Sequence, residues 1–121
     1  MVRRYVPDAG HIVWLRFDPQ AGHEQAGHRP ALVLSPLPYN AKTGLMVCCP
    51  MTSQIKGYPF EVLIRDSRGK QQSAVLADQV KSLDWVARKA RHKGSVSGSE
   101  LDEVRAKIFA LLNLTALRKK L

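Results

Sequence analysis

Ser97-Gly98-Ser99-Glu100-Leu101-Asp102-Glu103-Val104-Arg105-Ala106-Lys107-Ile108-Phe109-Ala110-Leu111-Leu112 is the stretch on which the fold turns. Leu101, Val104, Ile108, Leu111, Leu112 and, just beyond, Thr115 recur at three- and four-residue spacing, which is the period of an amphipathic helix. Ser97 with Glu100 three residues later makes a capping box and starts the helix near residue 98. Arg118-Lys119-Lys120 sets cations near its end, against the negative pole of the macrodipole. Upstream the period is different. The chain therefore reads as strands followed by one terminal helix, a small, mostly antiparallel β-barrel and not an alternating βαβ protein.

The strands are short and split by Gly- and Pro-rich loops. His11-Ile12-Val13-Trp14-Leu15-Arg16-Phe17 is apolar at nearly every position, as a strand buried on much of both faces would be. A long polar loop, Asp18 to Arg29, follows. Ala31 to Ser35 is a second strand, closed by Pro36 and Pro38 and a turn at Asn40-Ala41-Lys42-Thr43-Gly44. Leu45 to Met51 is a third. A second polar loop, Thr52 to Pro59, leads to a strand over Phe60 to Arg65. Asp66-Ser67-Arg68-Gly69-Lys70 is a hairpin turn into Ser73 to Ala77, and Val80 to Ala87 holds one or two strands more.

Length and charge narrow the function classes. At 121 residues the chain is one domain, 1–121, long enough to bury roughly two-thirds of its extended surface without staples. No segment approaches the ~18 apolar residues of a membrane span. Met1-Val2-Arg3-Arg4-Tyr5-Val6-Pro7-Asp8 lacks the apolar core of a secretory signal, so a cytoplasmic location is expected. The two cysteines, Cys48 and Cys49, are neighbours on a strand and point to opposite faces, which suits small apolar fillers better than a disulfide. Net charge is +9, from 19 Lys and Arg against 10 Asp and Glu, and favours a polyanionic partner. Arg88-Lys89-Ala90-Arg91-His92-Lys93 concentrates that charge, and reads equally as a solvated face or hairpin tip, or as a phosphate contact.

Glycine-rich phosphate loops, HExxH and GxSxG are absent, and His11, His23, His28 and His92 form no metal set with nearby carboxylates. No cofactor or metal is expected. What remains suits phosphodiester chemistry. RNA cleavage by its own 2′-hydroxyl needs a base, an acid for the leaving 5′-oxygen, and cations for the phosphorane charge. Glu24 is the candidate base, or else a solvated loop carboxylate. Arg29, restrained beside Pro30, is a candidate for gripping phosphate with two donors, or else a salt-bridge partner. His28 has the better acid pKa, but adjacent residues in extended chain face opposite ways. Arg29 is favoured, with His28 as a supporting or dimer-contact residue. The second polar loop supplies Thr52, Ser53, Gln54 and Lys56, with Tyr58 a base-stacking candidate and Phe60 a core residue. Asp78, Gln79 and Lys81 form a third polar cluster, for base edges or for a hairpin. Trp14 and Trp85 read as core or interface residues in preference to RNA stackers.

Five segments together resemble the MazF/PemK family of toxin endoribonucleases, the chromosomal MazF branch most of all. They are Arg4-Tyr5-Val6-Pro7-Asp8, Glu24-Gln25-Ala26-Gly27-His28-Arg29-Pro30-Ala31, Leu34-Ser35-Pro36, Lys56-Gly57-Tyr58-Pro59-Phe60-Glu61-Val62 and Leu76-Ala77-Asp78-Gln79-Val80-Lys81-Ser82. The resemblance implies an SH3-like β-barrel of the CcdB/PemK toxin type with a C-terminal helix. It also implies a homodimer that cuts single-stranded RNA at short sequences without metal, leaving 2′,3′-cyclic phosphate and 5′-hydroxyl ends. Glu24, Arg29 and Thr52 take the family's catalytic positions. His28, Ser53, Gln54, Lys56, Asp78, Gln79 and Lys81 are the RNA-binding candidates. The implied partner is a MazE-like antitoxin with an acidic, flexible tail. The basic loop Arg65 to Ser73 and the tail Leu114 to Leu121 depart from the family pattern. The alternative is a non-catalytic CcdB-like toxin or an RNA- or protein-binding module, which has no need of the Glu24, Arg29 and Thr52 set.

Overall fold

Cys48 and Cys49 show how the chain is layered. Both are fully buried, yet they belong to two different apolar clusters, one on each face of the same strand. A strand covered on both sides is the middle of a sandwich, and the rest of the chain is arranged around it. The computed structural model describes residues 4–17, 27–66 and 68–113. In chain order these form β1 (His11–Phe17), β2 (Gly27–Val33), α1 (Leu37–Thr43), β3 (Leu45–Thr52), β4 (Glu61–Arg65), β5 (Gln71–Leu76), β6 (Lys81–Asp84), β7 (Arg91–Ser95) and α2 (Gly98–Leu111).

The strands make one curled antiparallel half-barrel in the order β4-β5-β3-β2-β1-β7, with β6 also on β3. β3 pairs with β2 along one side. On the other it pairs first with β6, from Leu45 to Cys48, and then with β5, at Met51 and Thr52. One face carries Ile12, Leu32, Cys49, Val62 and Val75, and is closed by Leu101, Val104 and Ile108 of α2. The other carries Val13, Leu15, Val33, Met46 and Cys48, and is closed by Trp85 with Tyr5 and Val6.

The terminal helix forms as its capping box requires. Glu100 N–H donates to Ser97 Oγ at 3.1 Å and Ser97 N–H to Glu100 Oε1 at 2.8 Å. Glu100 Oε2 also accepts from Arg65 N–H at 3.0 Å, tying the helix start to the end of β4. Thr115 and the basic run Arg118-Lys119-Lys120 lie outside the described residues, as does the extension from Leu114.

Several expectations are corrected. The turn expected at 40–44 is the end of a helix, α1. Pro36 is its N-cap and Pro38 lies in its first turn, where a missing N–H costs nothing, and Leu37 N–H is taken up by Asp8 Oδ1 at 2.9 Å. Gly44 closes it in the left-handed region (φ 74°), donating to Asn40 O at 3.0 Å. The loop expected through Arg29 ends earlier, since β2 begins at Gly27, and β2 stops at Val33, short of Ser35. The basic block is no hairpin tip: its second half enters β7, paired to β1. Of the one or two strands expected in Val80 to Ala87 there is one, β6, followed by turns, as that reading allowed. Phe60 is only half-buried and packs on Tyr58, with ring centroids 6.0 Å apart. Among the described residues, no helix is long and apolar enough to cross a membrane.

Candidate functional site

The site lies where the β2–β3 ladder opens. Pairing runs from Val33 and Cys48 to Ala31 and Pro50 and stops there. Pro30 and Pro50 flank the stop, and each removes a ladder donor. Paired residue numbers in this ladder sum to 81 (31 and 50), and so do 29 and 52. The register thus carries Arg29 and Thr52 to facing positions just past the last pair, on strands that β1 and β5 still hold. Both residues line the same two clefts, of about 280 and about 630 Å³. Thr52 Oγ1 accepts from Gln54 N–H at 3.0 Å, which fixes the oxygen and leaves its O–H as a donor.

Three clefts meet at Thr52. The 280 Å³ cleft adds Gln79 and Lys81 to Arg29 and Thr52. A third, about 470 Å³, continues from Thr52 and Gln79 past Gln54 and Lys56 to Tyr58 and Asp78. The 630 Å³ cleft runs the other way, past Ser53 and Gln54 to Trp14, Gln72 and Lys93. Of the expected site residues, Arg29, Thr52, Ser53, Gln54, Lys56, Asp78, Gln79 and Lys81 are therefore brought to one groove system. His28 is not. It sits opposite Arg16 on β2, exposed, and lines none of these clefts. Glu24 lies outside the described residues.

Two carboxylates border the 470 Å³ cleft, and both are engaged by the protein. Glu61 accepts the backbone N–H groups of Lys56, Gly57 and Tyr58, at 3.1, 2.9 and 3.2 Å to Oε1. Three successive donors wrapped on one carboxylate make a nest, and Gly57 at φ 78° supplies the left-handed residue it needs. Glu61 thereby shapes the loop that presents Lys56. Asp78 Oδ2 accepts the Tyr58 hydroxyl at 2.6 Å, and that hydrogen bond raises the phenol above its ordinary pKa of 10.0. Asp78 Oδ1 is buried without a donor among the described residues. Asp78 thus holds Tyr58 over the cleft. The cations Arg29, Lys56, Lys81 and Lys93 dominate the lining, so the groove suits an extended polyanion. Among the described residues no three His, Cys, Asp or Glu side chains gather to hold a metal ion.

Sequence reasoning missed Trp14, Gln72, Lys93 and Glu61 as groove residues. For Glu61 a signal existed in Lys56-Gly57-Tyr58-Pro59-Phe60-Glu61, a glycine loop followed by an acid. For Lys93 the signal was the basic block 88–93, whose phosphate-contact reading was not tied to Arg29; for Trp14 and Gln72 there was none, because they join Arg29 only through the curl of the sheet.

Comparison with known proteins decides the identity. Residues 8–112 match the model of the PemK-like, MazF-like toxin of type II toxin-antitoxin systems. The chain belongs to the PemK/MazF toxin family. It is 55% identical to the endoribonuclease toxin MazF of Escherichia coli K12 over 112 residues, 93% of this chain and 99% of that protein. It is 36% identical to the endoribonuclease toxin ChpB of the same organism, covering 97% and 98% of the two chains. Among solved structures, the MazE-MazF complex of Deinococcus radiodurans aligns with a TM-score of 0.83 at 56% identity, over 91% of this chain and 98% of that one. The half-barrel with its C-terminal helix is thus the MazF toxin fold.

Proposed function

We propose that this chain is a toxin endoribonuclease that cuts single-stranded RNA, arrests translation, and is neutralised by a MazE-type antitoxin. The observation that carries this reading is 55% identity across 99% of a MazF endoribonuclease toxin. The meeting of Arg29 with Thr52 in a cation-lined groove agrees with it. The chain works as one domain, 1–121, paired as a homodimer in the cytoplasm. Its partner's acidic tail lies along the groove, drawn by the net charge of +9.

In this mechanism Glu24 takes the proton of the RNA 2′-hydroxyl, and the 2′-oxygen attacks the neighbouring phosphorus. The P–O5′ bond breaks, leaving a 2′,3′-cyclic phosphate and a 5′-hydroxyl. Arg29 spreads two donors on the phosphorane and supplies the proton to the departing oxygen. The Thr52 hydroxyl donates to a non-bridging oxygen, and Lys56, Gln79 and Lys81 hold the strand to either side. No metal ion takes part in these steps.

The test is cleavage of a long unstructured RNA in EDTA, with fragment ends mapped. Discrete cuts with cyclic-phosphate ends are expected. Arg29→Ala should fold normally yet lose more than the roughly 10²–10³-fold in rate that removal of one transition-state donor costs, because its proton is lost as well. Intact RNA from folded wild-type protein would instead mark a non-catalytic binder, and near-normal cutting by Arg29→Ala would remove that residue from the chemistry.

A further inference from the structure

β7 is the edge strand of the sheet, and its pairing with β1 breaks register at one point. Ile12 pairs with Gly94 and Val13 with His92, so Lys93 is the residue left over between them. A bulge of this kind takes the extra side chain out of the regular alternation, and bulges collect beside functional sites because they re-aim a residue. In this chain the bulge residue's ammonium sits 5.1 Å from the centre of the Trp14 ring. Trp14 is half-buried on β1 opposite Pro30, the neighbour of Arg29. Lys93 and Trp14 line the 630 Å³ cleft together with Arg29 and Thr52, and no carboxylate lines it among the described residues. The negative face of an indole attracts an ammonium placed over it. That steadies the side chain without neutralising it, and the N–H donors turned away from the ring stay available to an anion.

We propose that Lys93, steadied on Trp14, binds a backbone phosphate flanking the one gripped by Arg29 and Thr52, so that RNA continues from the reacting centre along the 630 Å³ cleft. This rests on the RNA-cleaving reading above. The lysine reads no base: it adds affinity and sets the path of the strand. Ser53, Gln54, Gln72 and Ser73 line the same cleft and supply hydrogen-bond partners for sugar and base along that path. Trp14 is a positioning residue in this scheme.

The test is binding of an uncleavable 2′-deoxy single-stranded oligonucleotide as a function of salt, beside wild-type cleavage of RNA. Each phosphate contact to a single strand contributes about 0.7 to the slope of log K against log salt. Lys93→Ala should lower that slope by about 0.7, which is about fivefold weaker binding near 0.1 M salt, converging with wild type near 1 M. Lys93→Arg should keep the slope, and Lys42→Ala, on α1 and outside these clefts, should leave it unchanged. The loss should be equal for oligonucleotides of different sequence. An unchanged slope in folded Lys93→Ala overturns the proposal, and overturns it in favour of a protein contact if antitoxin affinity falls instead. If wild type cuts RNA while that slope stays fixed, only the Lys93 assignment fails. If wild type neither cuts nor binds single strands, the RNA-cleaving reading fails first and the assignment falls with it.

Discussion

Replacing Asn40 by alanine should cost this protein a large part of its stability without touching its chemistry. Asn40 is fully buried in α1. Its Nδ2 donates to Pro7 O and to Ser35 O, each at 2.9 Å, and its Oδ1 accepts from the Ser35 hydroxyl at 2.6 Å. Ser35 Oγ in turn accepts from Val47 N–H of β3 at 2.8 Å. One amide therefore ties the segment before β1, the end of β2 and the start of β3 to α1. Alanine would leave two buried carbonyls without a donor and the Ser35 hydroxyl without an acceptor, at about 1–3 kcal/mol each. The hydroxyl can rotate and the backbone can relax, so about 3–5 kcal/mol is expected for the whole change. Against a total of order 5–15 kcal/mol this is severe. At about 4 °C per kcal/mol for a chain of this length, Tm should fall by roughly 12–20 °C. Asn40→Asp should be no better near neutrality, since it loses both donors and buries a charge. The assay is urea unfolding of wild type and variant, with cleavage measured well below both transitions, where the rates should agree within about twofold. A loss under about 1 kcal/mol at unchanged m would refute the reasoning, because it would mean that these bonds are worth no more than their replacement by water.

Two further expectations concern titrating groups. His11 Nδ1 accepts from Tyr5 Oη at 2.8 Å and from Asp8 N–H at 3.2 Å, and its ring lies 4.9 Å from that of His92. Burial, then the neighbouring His92, lower its pKa below the usual 6.5, with Asp8 opposing. The unfolded chain therefore binds the proton first, so stability should be full above about pH 6.5 and decline as pH falls from there through the folded pKa. Unfolding curves across that window should flatten in His11→Asn, and an unchanged acid limb would count against the assignment. Burial also pushes the Cys48 thiol up to about 11 and the Cys49 thiol up to about 12. Alkylation by iodoacetamide at pH 8, followed by intact mass, should be about 10²–10³-fold slower in the folded protein than in urea. Rapid single labelling of the native protein would contradict this.

The strands that were legible are those whose side chains obey the period of a buried sheet. His11–Phe17 has the bounds read from the sequence, and Leu45–Thr52 exceeds them by one residue. The capping box fixed the start of α2 because two side chains and two backbone N–H groups close on each other locally. α1 was missed because seven residues are too few to display a helical period, while Pro36 and Pro38 read as breakers. β7 was missed because Arg91-His92-Lys93-Gly94-Ser95 has no apolar alternation. It is held by backbone pairing to β1, and such pairing leaves no trace in side-chain pattern. The expected site residues were reached partly through chemistry and partly through family resemblance. Their meeting was not legible at all: Tyr58 and Asp78, or Trp14 and Lys93, touch only once the sheet has curled.

The double burial of β3 also accounts for where the groove sits. A strand exposed on one face slips register by one residue at the price of turning that face inside out. β3 has Cys48 in one core and Cys49 in the other, so a slip in either direction disrupts both. Its last residue, Thr52, is thereby fixed in position and facing. β2 is held in the same way at Leu32 and Val33, which enter opposite cores two and three residues before the Pro30 and Arg29 end of the ladder. Two rigid strands thus run out of their shared ladder together and diverge at the prolines, each carrying one polar group into the gap. The neighbouring basic residues come from edges and loops, where position is looser. Substitutions at the cations should therefore tune affinity and salt dependence, whereas changes to packing around Cys48, Cys49 and Val33 should misplace Arg29 and Thr52 and lower the rate of the chemical step itself.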